Sequence, residues 1–247
     1  MLNDDQRERL DVVLVSPRNP LNIGAVARAM ANFGLHRLTV VSPYAANWRE
    51  ARSAVGAPDL LTHARETVTL AEAVEACTLV IGTGTLTYRK PEQPVVPLPQ
   101  LAPHVAAALA QGGRVAIVFG PEKHGLTRED LSVCHVLVEI PTDPRQPSMN
   151  LGQAVAVCLY ELSSRVNTVP VAPESAASQV PSETLDRLGA LIEETMNASG
   201  YSPATMKLAN SHDLRLMLRR LRFSPLDTRR ALGFFRRVLH RLKTHKN

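Results

Sequence analysis

Cysteine is scarce in this 247-residue chain. Cys77, Cys134 and Cys158 form an odd set without metal-ligand spacing, which reads as reduced, buried thiols and gives no ground for a metal site. Long apolar runs are lacking too: none approaches the roughly 20 residues of a membrane span, so no membrane partner is expected. Met1 to Leu10 is polar and charged, unlike a secretory signal, and the expected location is cytoplasmic. No internal repeat is present. A full G-x-G-x-x-G is also missing: Ile81-Gly82-Thr83-Gly84-Thr85 runs into Tyr88, Arg89, Lys90 and prolines instead of a helix. With no acidic residue on a suitable next strand, this argues against a nicotinamide enzyme.

What is present suffices for a good core. Hydrophobic residues make up 45% of the chain, and its length suits one ordinary domain plus an appendage. Charge is divided unevenly. From Tyr201 onward twelve Lys or Arg face only Asp213 and Asp227, a net +10, whereas residues 1 to 200 carry −5. That asymmetry points to a polyanion, most plausibly nucleic acid, with a solvated basic helix surface as the competing reading.

Between residues 11 and 165 short β-branched runs alternate with helical patterns. Val12 to Val15, Arg37 to Val41, Thr78 to Gly82, Val115 to Gly120 and Val136 to Ile140 are the predicted strands. Near-continuous apolar strands separated by helices imply an α/β domain with a mostly parallel sheet covered on both faces. Thr69-Leu70-Ala71-Glu72 has capping-box form before a helix ending near Cys77, and Thr127 with Asp130 starts another turn. Five prolines from Pro91 to Pro103 predict an extended surface connection before a helix over Val105 to Ala110. Asn167 to Pro181 reads as a linker. Beyond it, helices are expected over Glu183 to Met196, Asp213 to Leu221 and Asp227 to Leu242, with Leu185, Leu188, Ile192, Leu214, Leu218 and Leu221 as apolar stripes of the first two.

Three segments carry the chemistry. Ser16 to Arg28 ends a strand and opens a helix on which Gly24 and Arg28 share a face, away from Val26, Met30 and Phe33. The Arg28 guanidinium is thereby expected to point towards the strand ends, where open parallel sheets bind ligands. Phe119 to Leu126 follows a buried strand, and its glycines allow a tight turn with backbone close to a ligand. In the third segment, Ser148 and Asn150 are both suited to cap a helix from Leu151 to Ser164, with Met149 and Leu151 as apolar walls.

Asn22-x-Gly24-x-x-x-Arg28, Gly120-x-Glu122-x-x-Gly125-Leu126, and Ile140-Pro141 followed by Ser148-Met149-Asn150-Leu151 with Tyr160-Glu161 together resemble a known set. In order and spacing they are similar to the three motifs of the SpoU branch of the SPOUT RNA 2′-O-ribose methyltransferases. The match covers residues 11 to 165. Met149 stands where Leu is commoner and Pro121 follows the motif glycine, and neither departure removes a needed functional group. The basic extension, with Leu216 to Leu221 and a later Arg-rich helix, is most similar to the TrmJ group, which methylates a ribose 2′-oxygen at tRNA position 32 in the anticodon loop.

The resemblance implies a methyltransferase domain over residues 1–165, a linker over 166–182 and a basic helical RNA-binding extension over 183–247. It implies a deep trefoil knot from Val115 to about Arg165, against the usual avoidance of knots, and a homodimer packed through that knot. S-adenosyl-L-methionine is the implied cofactor, held among Thr83, Gly84, Thr85, Gly120, Ile140, Ser148, Met149 and Asn150. Arg28, Asn22, Glu122 and Ser148 are the implied catalytic set, and no metal is called for. An arginine is a poor base at a pKa of roughly 12 or more, so Arg28 either loses its proton in a reorganised site or orients the ribose hydroxyl. Positioning is the larger expected effect. Asn22 divides between shaping the helix start and placing Arg28 or substrate. Glu122 divides between pairing with Arg28 or another arginine and bonding loop amides. Ser148 is expected to be both cap and cofactor-site residue, His124 to be merely exposed, and Tyr160-Glu161 to serve packing and dimer contacts. Transfer RNA is the expected partner and ribosomal RNA the alternative. A catalytically silent RNA-binding protein is the further rival, one that would not need all three motifs intact.

Overall fold

The computed structural model describes residues 1–85, 91–170, 180–201 and 203–244. Tyr88, Arg89, Lys90, Lys246 and most of the expected linker lie outside these. In chain order the elements are α1 (Asp4–Arg7), β1 (Leu10–Val15), α2 (Pro20–Asn32), β2 (Leu38–Val41), α3 (Pro58–His63), β3 (Arg65–Thr67), α4 (Leu70–Ala73), β4 (Leu79–Thr83), β5 (Val95–Pro97), α5 (Ala102–Ala110), β6 (Val115–Phe119), α6 (Arg128–Ser132), β7 (Val136–Glu139), α7 (Leu151–Arg165), α8 (Ser182–Ser199), α9 (Lys207–Arg220) and α10 (Pro225–Thr244).

All seven strands pair in parallel, in the order β3-β2-β1-β6-β4-β7-β5. The expected α/β sheet is therefore present, with two strands added at its edges. β3 and β5 are three residues each, too short for a period-2 pattern to register. β5 falls within the proline-rich connection and ends on Pro97; an edge strand tolerates a residue that donates nothing to a ladder.

Burial on both faces explains the unbroken apolar strands. Val12 and Leu14 pack with α2, α5 and α7 residues such as Val26, Val105 and Leu159, while Val13 and Val15 pack with Leu70 of α4 and Leu131 of α6. Each such fully buried aliphatic side chain contributes roughly 1.5–3 kcal/mol. Asp11, the second residue of otherwise apolar β1, is tolerated because Arg37 (2.5 Å) and Arg114 (3.3 Å) neutralise it. Cys77, Cys134 and Cys158 are free and buried. Burial pushes the Cys134 and Cys158 thiols up to about 12, so they stay protonated and inert.

Thr127 and Asp130 form the expected capping box, and Thr69 caps α4, which ends at Ala73 instead of near Cys77. The last three helices form a small cluster in which Leu188, Leu214 and Leu218 meet Ile192, Met196, Phe223, Leu232 and Phe235. Leu221 stays out of this stripe and is 55% exposed, because α9 ends at Arg220. This cluster is anchored on the sheet domain. Ser182 and Glu183 donate backbone N–H bonds to Cys77 O and Glu75 O, and Arg215 and Arg220 pair with Glu129 and Glu92. Arg219 is almost fully buried, donating from Nε to Val133 O (3.2 Å) and from Nη2 to Asp186 Oδ1 (2.8 Å). Part of the charge asymmetry is thus satisfied within the chain. The cations left facing solvent lie mainly on α10.

Candidate active site

Strand order reverses between β1 and β6: β2 and β3 extend one way from β1, and β4, β7 and β5 the other way from β6. Loops leaving the C-terminal ends of β1 and β6 must diverge there, leaving the crevice in which open α/β sheets hold ligands. At this point the three motifs meet. Ser16, in the left-handed region at φ 45°, turns the chain out of β1. Asn19 then caps α2 by accepting from Leu21 N–H (3.0 Å), with Pro20 in the first helical position. The cap is Asn19, not Asn22. Asn22 is left free for other work.

That work is a relay. Asn22 Nδ2 donates to Glu122 Oε1 at 2.8 Å, and Asn150 Nδ2 donates to Asn22 Oδ1 at 3.0 Å. Glu122 also accepts from the backbone N–H groups of Arg18 (3.1 Å) and Asn19 (3.3 Å). Of the two expectations for Glu122, bonding to loop amides is the one realised, and no contact with Arg28 forms among the described residues. Partial burial works to raise the carboxyl's pKa. The hydrogen bonds from Asn22, from its own backbone and from Arg18 and Asn19 outweigh that, holding it below the ordinary value. Asn150 in turn caps α7, accepting from Gly152 N–H (2.9 Å) and Gln153 N–H (3.4 Å). Ser148 makes no cap: it stands two residues too early.

Beside the relay a cavity of about 260 Å³ opens at the ends of β4, β6 and β7. Of the residues expected at a cofactor, Thr83, Gly84, Thr85, Gly120, Ile140, Ser148 and Met149 line it, whereas Asn150 lies in the relay outside the lining. Glu122 and Ser148 of the expected catalytic set also line it; Asn22 and Arg28 do not. Arg28 is exposed on α2 and enters no ion pair among the described residues. His124, expected to be bland, borders this cavity and a neighbouring one that reaches His212 and Leu216 of α9. Phe119, Leu126, Leu131, Pro147 and Ala154 complete the walls. Phe119 and Leu126 belong to the second segment, whereas nothing in local sequence marked Leu131, Pro147 and Ala154, since apolar residues in helices and loops look alike before the chain folds.

Backbone shape makes the cavity. A Cβ on Gly120 would stand 2.2 Å from Leu126 N and 2.3 Å from Gly125 C, so only glycine lets the loop after β6 fold back on itself. Thr83 Oγ1 is committed to Val118 O (2.9 Å) and Gly84 N–H to Val138 O (3.2 Å), which fixes the end of β4 at the rim of the space. Thr85 and Thr142 both donate their hydroxyls to Pro147 O (3.4 and 3.2 Å), drawing the loop before α7 over the opening. The result is a slot lined by apolar residues (Leu126, Ile140, Met149, Leu151) together with polar ones (Thr83, Thr85, Glu122, Ser148). A flat heterocycle with a polar tail suits such a lining.

Comparison with known proteins agrees. The model of the SpoU rRNA methylase family matches residues 9–160. A tRNA (cytidine/uridine-2′-O-)-methyltransferase TrmJ of Pectobacterium atrosepticum is 32% identical over 96% of this chain and 98% of its own length. A tRNA (cytidine/uridine/adenosine-2′-O-)-methyltransferase TrmJ of Pseudomonas aeruginosa is 42% identical over 63% of this chain, a match that spans 60% of that protein. The crystal structure of TrmJ from Z. mobilis ZM4 superposes with a TM-score of 0.79 at 31% identity, over 92% of this chain and 98% of that one. With its three motifs tied together at the switch point of a parallel sheet, and with likeness running nearly end to end, the chain belongs to the SpoU rRNA methylase family.

Proposed function

We propose that this protein transfers a methyl group from S-adenosyl-L-methionine to a ribose 2′-hydroxyl of tRNA, at a pyrimidine of the anticodon loop corresponding to position 32. The observation that carries this reading is the relay Asn150–Asn22–Glu122, which joins all three motifs beside a slot suited to the cofactor. A relative similar over nearly the whole chain, the basic extension included, bears a name that specifies tRNA 2′-O-methylation.

The slot fits the cofactor in kind: apolar lining residues for the adenine, and polar ones for its polar edges and ribose. The cofactor supplies a methyl group already activated by a sulfonium. What remains for the protein is largely positioning. Glu122 and Asn22 hold the loop after β1 and the start of α2 in fixed relation to the slot. Arg28 then orients the ribose hydroxyl and its phosphate from nearly two turns further along α2. Ser148 and Met149 hold the cofactor from the loop before α7.

The reading includes three further parts. The catalytic unit comprises residues 1–165, joined through 166–182 to an RNA-binding extension over 183–247. The segment from Val115 to about Arg165 is knotted, supported by β7 lying beyond β4 from β6 in the sheet. The protein acts as a cytoplasmic homodimer through α2 and α7, where Tyr160 is 62% exposed and meets Phe33 edge-on at 6.5 Å. Among the described residues no helix is long and apolar enough to cross a membrane.

The test is transfer of a labelled methyl group to bulk tRNA and, separately, to ribosomal RNA, with the product nucleoside identified by mass spectrometry. A 2′-O-methylated pyrimidine from the tRNA anticodon loop is the expected product. The matched family's description names rRNA, so the same product from ribosomal RNA alone would keep the chemistry and overturn the address. Cofactor binding without transfer to either would favour a silent RNA-binding protein.

A further inference from the structure

α10 has one packed face and one solvent face, and the solvent face holds a residue that packing does not explain. Thr228, Ala231, Leu232, Phe235, Val238, Leu239 and Leu242 are buried or half-buried, a continuous stripe at helical spacing. Leu226, Arg230, Phe234, Arg237 and Arg241, spaced by four, four, three and four residues, run along the opposite side, and all are exposed. Phe234 is 62% exposed there, touching Phe235 only edge-on (ring centroids 5.3 Å apart, planes at 83°).

Two neighbours of Phe234 suggest what the ring is for. Gly233 is exposed, and a Cβ there would meet nothing within 4 Å, so no close contact requires glycine at this helix position. Glycine inside a helix is unfavourable; here its missing side chain leaves one flank of the ring open. Arg230, Arg237 and Arg241 share its face, while Arg229 and Arg236 stand further round the helix at about 100° per residue. Of these only Arg230 has a carboxylate partner among the described residues, Asp227 at 3.7 Å. A second copy of this chain meeting this face through its own α10 is a poor occupant, since it would set cations against cations. A polyanion carrying flat aromatic groups complements both features at once.

We propose that Phe234 is a stacking platform for an unpaired nucleobase of the RNA substrate, with Arg230, Arg237 and Arg241 of the same helix face holding the phosphates around it. This rests on the RNA-methylating reading above and adds to it a preference for single-stranded over paired RNA at the extension. A base stacks on a side chain only when it is splayed from its helix, whereas arginines at phosphates accept either form. The two contributions separate by salt: stacking is nearly indifferent to ionic strength, while each phosphate contact adds about 0.7 to the slope of log K against log salt for a single strand.

The test uses the full chain with three probes: bulk tRNA, a 12-nucleotide single-stranded oligoribonucleotide and a fully paired RNA duplex. Phe234→Ala should weaken tRNA and single-strand binding by about 5- to 150-fold, leave the salt slope and duplex binding unchanged, and melt like the parent because the ring is exposed. Phe234→Trp should restore affinity. Arg237→Gln with Arg241→Gln should instead lower the slope on all three probes. Phe234→Ala binding every probe like the parent, while the arginine variant weakens, would overturn the stacking role and leave the RNA-binding extension standing. Equal weakening on duplex and single strand, or a shift in oligomeric state without a change in RNA affinity, would also overturn it. No RNA binding by the parent chain would overturn both readings.

Discussion

Asn22 and Glu122, a hundred residues apart in sequence, meet through a 2.8 Å bond from Asn22 Nδ2 to Glu122 Oε1. Asn150 closes the chain from the other side by donating to Asn22 Oδ1. The middle amide uses both ends at once, so neither contact can be changed alone.

Replacement of Glu122 by Gln turns one acceptor oxygen into a donor facing other N–H donors. Unfolding in urea should show a loss on the order of 1–3 kcal/mol, with methyl transfer falling steeply. Combined with Asn22→Ala, the two effects should be non-additive by at least about 0.5 kcal/mol, as for residues in contact. Simple additivity in that cycle would mean the relay is energetically idle.

A second expectation concerns acid. Because the folded protein holds the Glu122 pKa below its ordinary value of 4.5, its ionised form is favoured by folding. The contribution is complete above the unfolded value and is lost as pH falls through the lower folded one. Melting temperatures of the parent and Glu122→Gln, measured from neutral pH down to about pH 3, should therefore converge on acidification. A gap that stays constant over that range would contradict the charge argument, whatever other carboxylates contribute to both curves.

Arg28 should separate stability from activity. Its side chain is exposed and joins no ion pair among the described residues, so Arg28→Ala should melt within about 0.5 kcal/mol of the parent. Affinity for S-adenosyl-L-methionine measured by calorimetry should hardly change, while single-turnover methyl transfer collapses. Normal turnover by this variant would refute its proposed role.

The C-terminal helices should loosen when Arg219 is shortened to Met. The substitution strands Val133 O and Asp186 Oδ1, at a cost of about 1–3 kcal/mol for each buried group left unpaired, less for Asp186, which is 34% exposed. Hydrogen exchange should speed up in α8 and α9 ahead of the sheet. Unchanged protection there would mean that the apolar cluster around Leu188, Leu214 and Leu218 suffices.

Much of the domain was legible before any coordinates. β1, β2, β4, β6 and β7 coincide with β-branched runs because strands buried on both faces must be apolar throughout, and Thr127 announced its helix because a cap is a local hydrogen bond. The site was legible in part. Thr83, Gly84, Gly120, Ile140 and Met149 lie at the cavity as their motifs implied. Ser148 as a cap was misread, because several residue types suit a cap equally well and Asn150 takes that place. Asn22, expected either to shape the helix start or to place other groups, stands in the first turn of α2 and bonds both Glu122 and Asn150. His124 is exposed as expected, and it borders two cavities, one of which exists only once α6 and α9 come together.

Sequence by itself determined which segments become strand or helix, where charge accumulates and which three motifs the chain carries, because periodicity, capping and net charge are properties of neighbours along the chain. Tertiary structure decided what those motifs hold. The strand order brings Arg18, Asn19, Asn22, Glu122 and Asn150 to one switch point, and hydrogen bonds act over about 3 Å in space, whatever the separation in sequence. It also decided that Arg215, Arg219 and Arg220 face carboxylates and carbonyls of their own chain while α10 turns its arginines and Phe234 to solvent. A count of charges carries no direction, and only packing assigns one.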